Sequence, residues 1–283
     1  MTNIFVLVVI LHIAGSVSNA TDLLAKRNFC GYQHTDDYNR DNDEIKIDEF
    51  PWIAQLLHGS QKRIFCTGSL INLRYVLTAA FCLQESLSGV RLGDFNVTSD
   101  KDCEKHKTFG EACSDPVEDF EIEEKIPHPQ YDDETSVNEI GLIRLSRHVT
   151  YSDYIRPICL PLSSMLQLKD GDKLFASGWG HLEYGGIQTD IKKKIITTVM
   201  SKEKCVKLYE DSGTSVNDHH FCAAESNAYT CQGDGGSPLI RSVNHQWEQV
   251  GILLYGIGCS EKYPIIYLNV GNYIDWIKQN LRK

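Results

Sequence analysis

From Asp48 onward the chain is built of short apolar runs, about four to eight residues each, separated by turn residues. In the first half, Trp52-Ile53-Ala54-Gln55-Leu56-Leu57, Ser69-Leu70-Ile71, Tyr75-Val76-Leu77-Thr78 and Gly141-Leu142-Ile143-Arg144-Leu145 predict strands. In the second half, Lys173-Leu174-Phe175-Ala176-Ser177, Ile195-Ile196-Thr197-Thr198-Val199, Val250-Gly251-Ile252-Leu253-Leu254 and Ile266-Tyr267-Leu268-Asn269-Val270 do the same. Near the C-terminus, Tyr273, Ile274, Ile277 and Leu281 recur at helical spacing and predict a short amphipathic helix. Many short strands and one late helix specify an all-β barrel or sandwich. No internal repeat of roughly 20–50 residues is present.

Composition narrows the class. With 283 residues, 42% hydrophobic and 23% charged, the chain can bury a sizeable core and is neither disordered nor collagen-like. There are 38 acids against 28 bases, and the net charge of −10 argues against a nucleic-acid partner. The acidity is local: residues 36–49 hold seven acids and two bases, and residues 94–124 hold eleven acids and three bases. Such blocks read as solvated loops, with a calcium loop or a docking surface for a basic partner as the functional alternatives.

Ten cysteines, an even number, point to an oxidising compartment. Ile4 to Ala14 form an apolar run too short to span a bilayer, and Ser18-Asn19-Ala20 offers a small-residue cleavage site. Residues 1–20 are therefore read as a signal peptide, although Met1 to Asn3 carry no Lys or Arg. All ten cysteines follow it, so five disulfides and an extracellular protein with no membrane partner are expected. Residues 21–47 form an acidic N-terminal segment with a single cysteine, Cys30. Lys26-Arg27 within it reads as a solvated basic pair, or else as a processing site. Asn96-Val97-Thr98 is a glycosylation sequon.

Five motifs then occur in a telling order: Asp48-Glu49-Phe50-Pro51-Trp52, Leu77-Thr78-Ala79-Ala80-Phe81-Cys82, Arg156-Pro157-Ile158-Cys159-Leu160-Pro161, Ala176-Ser177-Gly178-Trp179-Gly180 and Cys231-Gln232-Gly233-Asp234-Gly235-Gly236-Ser237-Pro238. Together they resemble the trypsin/chymotrypsin-like serine protease family over residues 48–283. Val90-Arg91-Leu92-Gly93-Asp94 and Ile126-Pro127-His128-Pro129-Gln130-Tyr131 look most like its arthropod clip-domain branch. A clip domain would need six cysteines upstream, and only Cys30 is there, so that domain is expected to be lacking. The resemblance implies two six-stranded antiparallel β-barrels dividing near residue 160, with a cleft between them. It also implies the pairs Cys30–Cys159, Cys66–Cys82, Cys103–Cys113, Cys205–Cys222 and Cys231–Cys259.

The chemistry departs from the family. Acyl transfer needs a serine nucleophile, a histidine base and a carboxylate that orients it. The three matching positions are Phe81, Glu139 and Gly235. A phenyl ring accepts no proton and glycine has no side chain, so a pseudoenzyme is expected, with no catalytic residue. Ser237 lies two residues beyond the nucleophile position, too far along an extended chain to substitute. The pocket that would receive a substrate side chain maps to Tyr229, Thr230, Leu254, Tyr255, Gly256 and Ile265, with Ile265 expected to fill it. Gly233 and Gly235 retain the backbone N–H groups of an oxyanion hole. In the family, activation cleavage frees an ammonium that pairs with the acid matching Asp234. Here the activation region near Asn39-Arg40-Asp41-Asn42 offers only a charged new terminus, and Asp234 is expected to be satisfied by backbone donors.

No metal is expected at the histidines, including His219-His220, and no cofactor beyond a possible structural calcium at Asp94, Asp100, Asp102 and Glu104. The function implied is a secreted, non-catalytic homologue that binds proteins and modulates a cascade such as prophenoloxidase activation and melanisation. It would serve as an immune cofactor or a venom-type inhibitor, with clip-type proteases or prophenoloxidase as partners. The alternative is an active serine endopeptidase with a non-standard site.

Overall fold

The computed structural model describes residues 23–33, 45–106, 110–162, 168–181, 186–225, 233–257 and 263–283. The signal segment expected over 1–20 and the Cys231–Cys259 pair lie outside them. Two antiparallel sheets follow one another along the chain. The first contains β1 (Ile53–His58), β2 (Arg63–Leu70), β3 (Tyr75–Thr78), β4 (Leu87–Leu92), β7 (Glu118–Phe120), β8 (Ile122–Pro127) and β9 (Gly141–Leu145). A separate hairpin, β5 (Cys103–His106) with β6 (Gly110–Cys113), projects between β4 and β7. The second sheet contains β10 (Lys173–Gly178), β11 (Lys193–Met200), β12 (His220–Glu225), β13 (Pro238–Val243), β14 (Gln246–Tyr255) and β15 (Ile265–Asn269).

The second sheet closes as a six-stranded barrel in the order β10-β11-β12-β15-β14-β13. The first runs β7-β4-β1-β2-β3-β9-β8. Only Glu121 separates β7 from β8, so one run of chain pairs with β4 at one end and with β9 at the other. Counted as one bent strand, that run gives the first barrel six members and closes it through covalent continuity. Leu56, Leu77, Val90, Leu92 and Leu142 pack inside the first barrel; Leu174, Ile195, Leu239, Val250 and Tyr267 fill the second. Such dry, interlocked interiors fix where the connecting loops emerge.

Helix α1 (Lys202–Tyr209) lies against the second barrel, whereas α2 (Ile274–Asn280) and the residues flanking it contact the first, through His128, Tyr75 and Arg144. The expected C-terminal helix, α2, buries Ile274 and Ile277. The other, α1, is an addition to the sequence reading. Ser201 caps it, and only Cys205 and Tyr209, one turn apart, are buried. So narrow a stripe among lysines leaves little apolar periodicity to detect.

Four disulfides, Cys30–Cys159, Cys66–Cys82, Cys103–Cys113 and Cys205–Cys222, are the pairs that the resemblance implied. The segment around Cys30 belongs to the body: the Gly31 N–H donates to Pro157 O, and the Trp247 N–H donates to Gly31 O, each at 2.8 Å. Gly31 has φ +68°, and any Cβ there would overlap the Trp247 carbonyl. Arg27 donates to Leu160 O at 3.0 Å and pairs with the Glu248 carboxylate at 3.2 Å. It is thus a structural contact rather than half of a solvated pair. A cut within residues 34–44 should leave a single species on a non-reducing gel and release the N-terminal piece on reduction. Separation without reductant would contradict the tether.

Candidate functional site: the cleft between the barrels

Phe81 sits in a single 3₁₀ turn, Ala80–Cys82, directly after β3, where Cys82 is bonded to Cys66 on β2. Glu139 precedes β9. Gly235 lies in the loop before β13, between Gly233 (φ +101°) and Gly236 (φ +81°). A Cβ on Gly236 would overlap Thr67 O and Thr78 Oγ1, so glycine is required there to let the loop lie against the first barrel. The Thr67 N–H then donates to Gly235 O at 2.8 Å.

The three triad-matching positions do come together. The Phe81 N–H donates to Glu139 Oε1 at 2.9 Å. The ring of Phe81 lies over Gly235: a Cβ added there would stand 2.5 Å from Phe81 Cζ and 3.1 Å from Cε2. The volume a nucleophilic side chain would need is occupied by phenyl carbons. Ser237 is buried, and its hydroxyl donates to Ser177 O at 2.6 Å, away from the cleft.

Glu139 is buried, and burial pushes its carboxyl up to about 7, opposed by the Phe81 N–H, the Tyr131 hydroxyl and Ser136. This carboxylate has no imidazole to orient. It anchors the turn that carries Phe81. Around it lies a cleft of about 710 Å³ whose walls include Leu83, Tyr131, Leu254 and Tyr255.

Of the specificity-pocket positions, Tyr229 and Thr230 fall outside the described residues. Leu254 and Ile265 are buried, and Tyr255 is half-buried. Ile265 Cδ1 lies where a Cβ on Gly256 would go, so the branched side chain packs directly onto the opposite wall.

Asp234 is fully buried. Its Oδ1 accepts the Gly180 N–H at 2.7 Å, one of the backbone donors expected of it. Its Oδ2 stands 2.8 Å from Lys193 Nζ, a full counter-charge that the sequence reading missed. The signal was the run Lys192-Lys193-Lys194 at the start of β11 (Lys193–Met200), in a stretch whose side chains alternate between faces.

The acidic block between 94 and 124 is largely spent on the chain itself. Asp119 pairs with Lys62 and Arg91, Glu118 with Arg147, and Glu123 with Arg74 and Arg144. Of the calcium candidates, Asp102 accepts the N–H groups of Phe95 and Asn96 and the Ser99 hydroxyl, while Glu104 accepts the Ile47 N–H. Asp94 is buried near Arg91, and burial pushes its carboxyl up to about 6. The Asp102 and Glu104 oxygens serve separate local donors, and among the described residues the four candidates do not converge into a cage that fits a calcium ion. His220 is buried and bonded to Ser136 O, with burial pushing it down to about 4, and the His219 ring lies tilted against Tyr273. Asn96 Oδ1 accepts from the backbone and the hydroxyl of Thr98 in a local turn.

Two barrels with a cleft between them, and the ordered motifs that line it, place the chain among the trypsin-like proteins. Residues 40–277 match the Trypsin family model, and the chain belongs to that family. It is 37% identical to Phenoloxidase-activating factor 1 of Holotrichia diomphalia, over 90% of this chain and 73% of that protein. To CLIP domain-containing serine protease HP8 of Bombyx mori it is 34% identical, over 95% and 76%. Among solved structures it is similar to the Grass clip serine protease of the Drosophila Toll pathway, with TM-score 0.78 and 27% identity over 92% of this chain and 77% of that one.

Gly235→Ser should destabilise the protein by about 1–3 kcal/mol through overpacking against the phenyl ring. In a Phe81→Ala background the same change should cost much less, and urea unfolding of the four proteins checks this. Additive effects would mean that the ring and the glycine are not in contact. For Glu139, the folded chain holds the proton more tightly than the unfolded one, whose value is near 4.5. Its contribution to stability is therefore full below about 4.5 and is lost as pH rises through about 7. Melting curves of the wild type should fall relative to Glu139→Gln across that interval. Parallel curves would show that Glu139 titrates normally.

Proposed function

We propose that this protein is a secreted, catalytically inactive serine protease homologue that acts by binding other proteins in a proteolytic cascade. The observation that carries the reading is the Phe81 ring lying over Gly235, with no proton acceptor and no nucleophile at the positions that chemistry requires. Loss of a triad serine or histidine costs about 10⁶-fold in turnover, and the neighbouring Ser237 does not stand in, since its hydroxyl is engaged with Ser177 O. The signal segment and disulfide framework support an extracellular site of action. The cascade is that of prophenoloxidase activation and melanisation, since a relative at 37% identity bears the name of a phenoloxidase-activating factor. Clip-type proteases or prophenoloxidase are the partners.

A binding role also accounts for large apolar side chains left exposed on the surface. Phe65 is 47% exposed and Ile187 is 88% exposed. Phe65 lines a second cleft of about 780 Å³ together with Arg63, His181 and Gln188. Exposed apolar groups with a polar rim are what a protein partner covers.

The purified protein, before and after trypsin treatment, should hydrolyse no member of a broad fluorogenic peptide library. Turnover that tracks the protein and disappears in Ser237→Ala would establish the opposing reading, an endopeptidase with a non-standard site. Combined Phe81→His, Glu139→Asp and Gly235→Ser should also fail to give tryptic cleavage, because Ile265 packs across Gly256 where a substrate side chain would enter. Efficient cleavage after arginine by that triple variant would contradict the closed pocket. Pull-down from arthropod plasma, followed by a melanisation assay with added protein, reads the partner and the sign of the effect.

A further inference from the structure

Three consecutive lysines, Lys192 just before β11 and Lys193 and Lys194 at its start, all carry their ammonium groups into the body of the protein. Strand alternation sends Lys192 and Lys194 to one side and Lys193 to the other. Lys192 Nζ donates to Glu49 O at 2.7 Å, and Lys194 Nζ stands 3.3 Å from Glu49 Oε1. Lys194 and Glu49 are both buried, so this pair ties the start of the first barrel to the second. On the opposite side, Lys193 Nζ reaches Asp234 Oδ2 at 2.8 Å and donates to Gly180 O at 3.1 Å and His181 O at 3.4 Å. The Gly180 N–H completes the arrangement on Asp234 Oδ1 at 2.7 Å.

A carboxylate as deeply buried as Asp234 needs a charge partner or must be neutralised. The partner here comes from inside the folded chain and is covalently fixed at the start of a barrel strand. We propose that Lys193 is a built-in counter-ion that holds Gly178–His181 and Gly233–Ser237 in their final arrangement in the uncut protein. Proteolytic cleavage then has nothing left to organise. A new terminus made after Arg40 would begin with Asp41, bringing a carboxylate of its own to a slot where Asp234 is already paired. The packing supports this assignment. A Cβ on either Gly178 or Gly180 would collide with the Asp234 carboxyl, so both segments close directly around the pair. Lys193 is therefore a positioning residue for the cleft floor. The inference deepens the proposed function, since it makes the binding face available without an activation step.

The test is hydrogen exchange read by mass spectrometry on the full secreted chain. A recognition sequence for a single-site protease is placed to end at residue 40, and exchange is compared before and after the cut. Protection of 178–181 and 233–238 should be high and unchanged by cutting. Lys193→Met should raise exchange in those two segments by at least tenfold, while β1 and β3 stay protected. Lys193→Arg should recover part of the protection. Protection that rises in the wild type after the cut would overturn the proposal, because a new terminus would then be doing the organising. Unchanged exchange in Lys193→Met would overturn it as well. Should Lys193→Met fail to fold, the cut and uncut wild type still decide. Exchange reports neither peptide hydrolysis nor partner binding, so an active enzyme or an absent partner would defeat the proposed function while leaving this result standing.

Discussion

The Asp234 carboxylate has no exposed surface, and the cleft floor depends on how its charge is met. An unpaired carboxylate at that depth would cost several kcal/mol, enough to consume much of a domain's net stability. The Lys193 ammonium and the Gly180 N–H answer one oxygen each, binding the end of β10, the start of β11 and the loop before β13 into one unit. That loop in turn carries Gly235, whose carbonyl accepts the Thr67 N–H from the first barrel. A single buried charge thus organises the junction at which the two barrels meet.

On that junction sits a centre that has been packed instead of left vacant. Gly235 carries no side chain, and the Phe81 ring takes the space that one would need. The glycine and the phenylalanine are complementary: each is tolerated because of the other, as expected of close-packed interiors. Glu139 fits the same account. It lies at the position of the orienting acid but accepts the Phe81 backbone N–H, so its work is to hold the turn that carries the ring. Ile265 against Gly256 extends the filled surface toward the specificity pocket.

Much of this was legible in the sequence, and the gaps have physical causes. β3 and β9 fall where alternating and continuous apolar runs put them, at Tyr75–Thr78 and Gly141–Leu145. The β5–β6 hairpin was hidden because a disulfide and backbone pairing hold it, with Gly110, Glu111 and Ala112 of β6 exposed. β13 begins with a proline and ends in half-buried Arg241 and exposed Ser242 and Val243, so Leu239 and Ile240 carry most of its signal. At the site, motif spacing located Phe81, Glu139 and Gly235, since each stands at a fixed distance from a recognisable neighbour. The contact of ring on glycine is a three-dimensional fact and has no local signature. Lys193 was missed because a run of lysines ordinarily marks a solvated face, and only the buried acids on both sides of the strand make it otherwise.

The central claim is that no activated nucleophile exists in this cleft and that the folded surface is what the protein uses. Intact-mass measurement after exposure to a serine-directed fluorophosphonate tests the first half most directly, on both the uncut and the cut chain. The account predicts no mass increase under conditions that label trypsin fully. Stoichiometric addition of one phosphonyl group, mapped to a residue of the cleft, would contradict it.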